Sequence, residues 1–332
     1  MKFFKVLFFV PVLLLWFRAP PKKDLFLNEW FSSSSDKLHV LATTKMVADL
    51  VENVGQEHVR VLTLIKEDLD PHTYTLVKGD ADKFRRSDIV FANGLHLEHS
   101  QSLHNLLDNP KTIYLADVLK EKRGVDFCNL DENVDPHFWM DVHLFSQSVP
   151  IIVQQLSQAA PEHEATFRQN GEILQRRLQQ LDEEIYLLMQ SIPPQKRYLV
   201  TSHDAFQYFA KRYLFDQSNP NFDLERFLAP EGVSPDGQIG PSDIQKIISH
   251  IVKHEIGVVF AESNISKDSL SKIQESCSEQ GIELIIAKEE LFADSMGCTS
   301  YIDMMRHNAR VIYNELNHEH IRVELPNEKK DN

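Results

Sequence analysis

Short apolar segments alternate with amphipathic helical segments along most of this chain, and that alternation restricts the fold more than any other feature. In the first half, two segments with helical spacing separate three strand-like segments, HVLATT, VRVLTLI and DIVFANG. In the second half, helical segments alternate with the strand-like segments RYLVTSH, IGVVFAES and IELIIAKEE. Alternation of this kind predicts parallel sheets covered by helices on both faces.

The alternation stops between Pro161 and Pro193. Leucine and isoleucine recur there at helical spacing, which predicts one helix of about 45 Å at 1.5 Å per residue. The chain has 332 residues, of which 42% are hydrophobic, so it can form two lobes with buried cores. We therefore predict an α/β protein in which two lobes with parallel sheets are joined by a single long helix. The predicted divisions are residues 36–160 for the first lobe, 161–192 for the helix and 193–317 for the second lobe.

The first residues, MKFFKVLFFVPVLLLWFRAPPKK, contain two lysines followed by an apolar run from Val6 to Phe17. This run is shorter than the ~20 residues of a membrane-spanning helix and has the layout of a secretory signal. We predict a signal peptide and a disordered mature N-terminus within residues 1–35, with an uncleaved anchor as the alternative, and an acidic tail at 318–332. No cysteine precedes Cys128, so we expect a soluble periplasmic protein without a lipid anchor.

The formal net charge of −14 excludes an extended nucleic-acid interface and favours cations as partners; we expect a monomer. Export would place the three cysteines in an oxidising compartment, where we predict a disulfide between Cys277 and Cys298 that leaves Cys128 free. The chain has no Cys-x-x-Cys pattern, which argues against a zinc site formed by cysteine thiolates.

The tripeptide Asp-Pro-His occurs twice, in LDPHTY and in VDPHFW, and presents His72 and His137 on proline-stiffened turns. Ligands of open parallel sheets bind beyond the carboxyl ends of the strands. His72 and His203 follow predicted strands, and Asp294 lies shortly beyond another, so two donors from each lobe could meet in a cleft. Three imidazoles and one carboxylate suit a tetrahedral Zn²⁺ site, and Mn²⁺ or Fe²⁺ accepts the same donors.

Other histidines have simpler interpretations. His250 and His254 lie one helical turn apart, a spacing that can bind a metal, but the helix dipole also favours histidines near a helix C-terminus. His96, His99 and His104 are either a second metal site or the solvated start of a helix.

Several segments together resemble the solute-binding proteins of metal-transporting ABC systems, the TroA-like or ZnuA-like group, and the first two are close to its chlamydial members. They are LDPHTYTLVKGDADKF, NGLHLEHSQSL, VDPHFWMD, YLVTSHDAFQYFAKRY, VVFAESNIS and the ADSMG loop. The resemblance covers about residues 38 to 316. It implies two lobes on one rigid helix, and His72, His137, His203 and Asp294 as ligands of the ion.

The resemblance further implies an exported receptor, without catalytic activity, that passes one divalent transition-metal ion to a membrane permease with its cytoplasmic ATPase. Zinc-dedicated members often carry a long histidine-rich loop, which is replaced here by KEKRGVDFCNLDENVDPH, so Mn²⁺ and Fe²⁺ remain candidates although Zn²⁺ should bind best in vitro.

The sequence leaves two alternative functions open, and it offers three carboxylates as outer partners, meaning residues that hydrogen-bond to the ligating imidazoles. The rivals are a secreted metallohydrolase, with Glu231 or Glu262 as its general base, and a surface adhesin. Carboxylates that orient the ligating imidazoles are expected at Asp204, Asp141 or Glu231, unless these only cap turns and helices.

Overall fold

The computed structural model describes residues 30, 36–66, 69–130, 133–215, 226–230, 232 and 240–317. Met1–Ser35 and Asp36–Asn332 are two separate compact units. The predicted signal segment, apart from residue 30, the predicted acidic tail and Glu231 lie outside the described residues. Among the helices that are described, none is long and apolar enough to span a membrane.

The first lobe is built on a parallel sheet of four strands in the order β2-β1-β3-β4. The strands are β1 (Leu38–Ala42), β2 (Val59–Thr63), β3 (Ile89–Ala92) and β4 (Thr112–Tyr114). The helices are α1 (Lys45–Gly55), α2 (Asp80–Arg86), α3 (Gln101–Leu107) and α4 (Leu115–Arg123). Helix α1 begins at Lys45, where the side chain of Thr44 accepts the backbone N–H of Val47 at 3.4 Å and caps the helix.

A short hairpin and a group of helices follow the first sheet. The hairpin consists of β5 (Asn129–Leu130) and β6 (Asn133–Val134), and the helices are α5 (Val142–Ser146), α6 (Val149–Ala159) and α7 (Glu164–Gln190). A 3₁₀ turn at Pro161–His163 precedes α7, which has 27 residues. The predicted long helix is therefore confirmed, with slightly shorter ends.

The second lobe repeats the strand order of the first. Its strands are β7 (Leu199–Val200), β8 (Phe227–Leu228), β9 (Val258–Val259) and β10 (Ile285–Ile286). Parallel pairs β7–β8 and β9–β10 are joined by a parallel bridge between Thr201 and Phe260, which gives the order β8-β7-β9-β10. The helices are α8 (Gln207–Phe209, continued by a π-helical turn at Ala210–Leu214), α9 (Pro241–Lys253), α10 (Asp268–Glu279) and α11 (Tyr301–Asn317). The prediction of two α/β lobes joined by one long helix is confirmed.

A single hydrophobic cluster extends from the first sheet across α7 into the second lobe. Phe91 of β3, Leu178 of α7 and Phe260 next to β9 all belong to it and are at most 1% exposed. Two smaller clusters lie on the other faces of the sheets. The two lobes therefore share their largest core.

The predicted disulfide between Cys277 and Cys298 is wrong, because none of Cys128, Cys277 and Cys298 forms a disulfide in the structure. Cys277 is buried in the smaller cluster of the second lobe, whereas Cys298 packs against the large shared cluster. The two thiols are thus held in different cores, and spacing along the sequence could not reveal this.

Candidate metal centre

Four side chains predicted from the sequence converge between the lobes. His72 lies in the loop after β2, His137 after β6, His203 after β7, and Asp294 in the loop after β10. Each offers one ligand atom, and these atoms all lie within 4.8 Å of one another. The side chains are buried, with residue exposures of 3%, 0%, 0% and 6%. Within the described ranges this is the one group of three or more potential metal ligands that meets this distance.

The separations between donor atoms fit a small tetrahedral ion. Nε2 of His72 and Nε2 of His137 are 3.1 Å apart. The carboxylate oxygens of Asp294 lie 3.3 Å from Nε2 of His137, 3.3 Å from Nε2 of His203 and 3.7 Å from Nε2 of His72. Metal–ligand bonds of about 2.0 to 2.2 Å place tetrahedral donors about 3.3 to 3.6 Å apart. These separations are therefore close to tetrahedral spacing, with Oδ1 of Asp294 nearest His137 and Oδ2 nearest His203 and His72.

Three of the donor atoms, in Asp294 and His203, also lack a hydrogen-bond partner. Both carboxylate oxygens of Asp294 and Nε2 of His203 are buried and lack a well-oriented hydrogen-bond donor or acceptor among the described residues. Buried polar atoms in this condition are costly unless a further group satisfies them. A bound cation would supply what these atoms lack.

The repeated Asp-Pro-His tripeptide has a local structural explanation. Oδ1 of Asp70 accepts the backbone N–H of His72 at 2.8 Å, and Oδ1 of Asp135 accepts that of His137 at 2.9 Å. An aspartate that bonds the backbone two residues later closes a tight turn, and the intervening proline stiffens it. Each turn fixes the backbone from which its imidazole projects.

The second turn also orients its imidazole. Oδ1 of Asp135 accepts a hydrogen bond from Nδ1 of His137 at 2.7 Å, which places the proton on Nδ1 and leaves Nε2 facing Asp294. Carboxylates commonly fix metal-binding histidines in this way. Asp135 is itself fully buried.

Glu262 has the corresponding position in the second lobe. Its Oε1 accepts the backbone N–H of His203 at 3.0 Å, and its Oε2 lies 2.6 Å from Nδ1 of the same residue. Glu262 follows β9, is 0% exposed, and reaches the neighbouring strand end that carries His203. Each lobe thus contributes one buried carboxylate behind a buried imidazole.

Among the described residues, the expected outer partners Asp141 and Asp204 show no hydrogen bond to a ligating imidazole. Oδ1 of Asp141 accepts the backbone N–H of Leu144 at 2.9 Å and caps α5. The described contacts of Asp204 include no hydrogen bond to a histidine, and Glu231 lies outside the described residues. Sequence reasoning missed Asp135 and assigned Glu262 only to the hydrolase hypothesis. Asp135 could have been found, because it belongs to the Asp-Pro-His motif. Glu262 could not, because its position depends on which strands are neighbours in the sheet.

The charges of the cluster favour a cation. The pKa of Asp294 lies well below its usual value because the imidazoles of His203 and His137 outweigh the effect of burial. Burial lowers the pKa of His72 to about 3. Burial alone would also lower the pKa of His137, but the Asp135 carboxylate raises it to about 9. Ligation requires the unprotonated imidazole nitrogen, so an ion must compete with protons here.

Neither of the other histidine groups forms a comparable centre within the described residues. His254 stacks on Tyr198 with ring centroids 4.3 Å apart, and His250 lies 4.7 Å from His254. His96, His99 and His104 line a cavity whose walls include none of the four converging side chains.

Comparisons with known proteins agree on one family. Residues 40–315 match the family described as ZnuA, zinc-uptake complex component A, periplasmic. The metal-binding protein YtgA of Chlamydia muridarum is 36% identical over 288 residues, which are 86% of this chain and 87% of that protein. The manganese-binding lipoprotein MntA of Bacillus subtilis is 32% identical over 287 residues, 84% of this chain and 90% of that protein. The crystal structure of Fe(III)-bound YtgA from Chlamydia trachomatis superposes with a TM-score of 0.81 at 34% identity, and covers 86% of this chain and 100% of that one.

Proposed function

This chain belongs to the ZnuA family of periplasmic metal-uptake components, and from that membership we propose that it captures one first-row transition-metal ion between its lobes and delivers it to the permease of an ABC importer. The family consists of extracytoplasmic metal-binding receptors and not of enzymes, so the hydrolase interpretation is withdrawn. Partnership with a permease and its ATPase follows from the family.

The proposed ligands are His72, His137, His203 and Asp294. The observation that carries this assignment is the convergence of their buried donor atoms within 4.8 Å. Asp135 and Glu262 would hold two of the imidazoles with Nε2 towards the ion. Binding would then consist of replacing the water around the ion by four prearranged protein donors.

The proposed cargo is a single ion, and Zn²⁺ binds most tightly in vitro because it stands above manganese and iron in the usual affinity order. Related proteins are named for zinc and manganese, and one was solved with Fe(III). The donor set accepts each of these metals, so the cargo in the cell is set by supply as well as by affinity.

The proposal assigns roles to the predicted divisions of the chain. Residues 36–160 and 193–317 would each contribute two ligands, residues 161–192 would connect them, and residues 1–35 would direct export. The exported receptor would act as a monomer, and His318 and His320 of the tail at 318–332 would bind metal weakly at most.

Elemental analysis of the native protein provides the test. We would purify the chain from the periplasm without added metal or chelator, measure Zn, Mn and Fe per chain, and then titrate the apoprotein with each ion in competition. The expected result is one equivalent of transition metal, with Zn²⁺ displacing the others in vitro. A native protein that carries no transition metal, and an apoprotein that takes up none of the three ions, would contradict the proposal.

A further inference from the structure

The four proposed ligands are buried, yet an ion has to reach them from solvent. His99, in the loop between β3 and α3, is an exposed imidazole whose ring centroid lies 6.1 Å from that of His72. The rings of His72 and His137 are 5.2 Å apart, and those of His137 and His203 are also 5.2 Å apart. A continuous row of imidazoles therefore runs from the surface to the buried cluster.

The ring of His99 is orientated even though it is exposed. Its Nδ1 lies 3.2 Å from the carbonyl oxygen of His96, and because a carbonyl can only accept, Nδ1 carries the proton. Nε2 then keeps its lone pair. This is the tautomer that metal-binding histidines adopt when a backbone carbonyl holds the other ring nitrogen.

The loop that provides this carbonyl has an unusual backbone. Leu95 and His96 are consecutive residues with left-handed φ values of 54° and 62°, which side chains other than glycine seldom adopt. The carboxylate of Glu98 accepts the backbone N–H groups of Asn93 at 2.8 Å and Gly94 at 3.2 Å, and so holds the loop in place. Such strain persists where the surroundings fix it, and it is concentrated at functional sites.

The same loop borders a cavity of about 450 Å³ with potential metal donors on its walls. Its lining includes His96, His99, His104, Asp108 and Asp117. Lys120 also lines the cavity and reduces its negative potential. The donors do not form a compact cluster like the buried one, so this cavity suits weak and transient binding rather than storage.

We propose that His99 is a capture ligand, which binds an incoming divalent transition-metal ion through Nε2 at the protein surface and passes it to His72. This inference rests on the proposed function, because it concerns the route to the same buried centre. A residue that binds the ion only during entry and exit changes the association and dissociation rate constants by the same factor. The equilibrium affinity of the final site, which is their ratio, is unchanged. This distinguishes His99 from the four buried ligands.

Stopped-flow binding of Co²⁺ to the exported apoprotein, followed by visible absorption, tests the proposal. We compare the wild type with His99→Ala, with His99→Asn, which retains a donor for the His96 carbonyl but lacks the ring, and with His143→Ala, an exposed histidine elsewhere. Both His99 variants should bind and release Co²⁺ about tenfold more slowly with the same equilibrium constant, while His143→Ala matches the wild type.

Three results would overturn the inference. Unchanged rates in both His99 variants would show that the ion enters by another route. A weakened equilibrium affinity would make His99 a ligand of the final site or a structural support. If His99→Asn bound and released Co²⁺ at the wild-type rates while His99→Ala was slow, the effect would belong to the structure of the loop and not to the imidazole. A wild type that does not bind Co²⁺ at all would instead contradict the proposed function.

Discussion

The indole N–H of Trp139 donates a hydrogen bond to the carbonyl oxygen of Ala293 at 3.1 Å. Trp139 follows His137 by two residues, and Ala293 immediately precedes Asp294. The carbonyl of Trp139 in turn accepts the hydroxyl of Tyr301 at 2.5 Å. One buried side chain therefore ties the second Asp-Pro-His turn of the first lobe to the loop of the second lobe that carries the carboxylate.

Replacing Trp139 with phenylalanine should accelerate the release of the ion and destabilise the fold. The Ala293 carbonyl would lose its donor, at a cost of about 1 to 3 kcal/mol, and the Asp294 loop would be less firmly held. Chelator-induced release and urea unfolding measure the two effects.

Tyr301→Phe is the matched variant, because it removes the hydrogen bond to the Trp139 carbonyl but leaves the Ala293 carbonyl paired. It should lower stability and leave the release rate near that of the wild type. Equal release rates in all three proteins would refute this role for the indole.

Single alanine substitutions of His72, His137, His203 and Asp294 should each reduce bound metal below one equivalent or weaken its affinity by orders of magnitude. Each removes one of four donors and leaves the others partly unpaired in a buried site. Metal content after dialysis measures the loss. The double variant His250→Ala, His254→Ala is the control and should remain fully loaded; if it loses the ion while the four singles retain it, the ligand assignment is wrong.

Asp135→Asn and Glu262→Gln should each weaken metal affinity about 10- to 100-fold without abolishing binding. The amides preserve an oxygen that can accept the backbone N–H of His137 or His203, but they remove the negative charge behind the ring. Competition with a chelator of known affinity provides the measurement. Asp141→Asn is the control, because Asp141 caps α5, and its metal affinity should equal that of the wild type. A loss as large in the control would mean that the effect is not specific to the two carboxylates.

Asp49→Asn should stabilise the protein at neutral pH and have little effect in acid. Burial, with a contribution from Glu52, raises the pKa of Asp49 to about 6, although the backbone N–H of Tyr301 partly offsets it. Because the folded state holds this proton more tightly than the unfolded state, Asp49 becomes progressively more destabilising as pH rises from about 4 to about 7. The ionised group costs up to about 3 kcal/mol, which the neutral amide avoids. Urea unfolding of the apoproteins at pH 4 and pH 7.5 tests the sign, and a gain of equal size at both pH values would contradict it.

Thiol titration of the exported protein under denaturing conditions should find three free cysteines. Cys277 and Cys298 lie in separate hydrophobic clusters, so oxidation would require one of the cores to rearrange. A count of one would restore the disulfide expected from the sequence.

The predictability of this molecule from its sequence depends on whether a feature is local. The predicted strand-like segment HVLATT agrees with the strand at Leu38–Ala42 to within two residues at each end, because an apolar pattern is set by consecutive positions. The paired turns at His72 and His137 were also recognisable, since each Asp-Pro-His carries its own geometry.

Features that depend on contacts between distant segments could not be predicted in this way. Glu262 reaches His203 only because β9 lies beside β7, and no pattern along the chain predicts that these two strands are neighbours. The same applies to Trp139 and Ala293, which are 154 positions apart. The separation of Cys277 from Cys298 is another result of packing that spacing cannot supply.

The core shared by the two lobes has a consequence for the proposed delivery of the ion to a permease. Apolar surface contributes about 25 cal/mol per Å² when it leaves water, so swinging the lobes apart far enough to wet this core would cost much of the stability of the protein. Empty and loaded forms should therefore have almost the same outline. Under the proposed function, a permease would then distinguish the loaded receptor by local differences in the loops around the four ligands and not by the separation of the lobes.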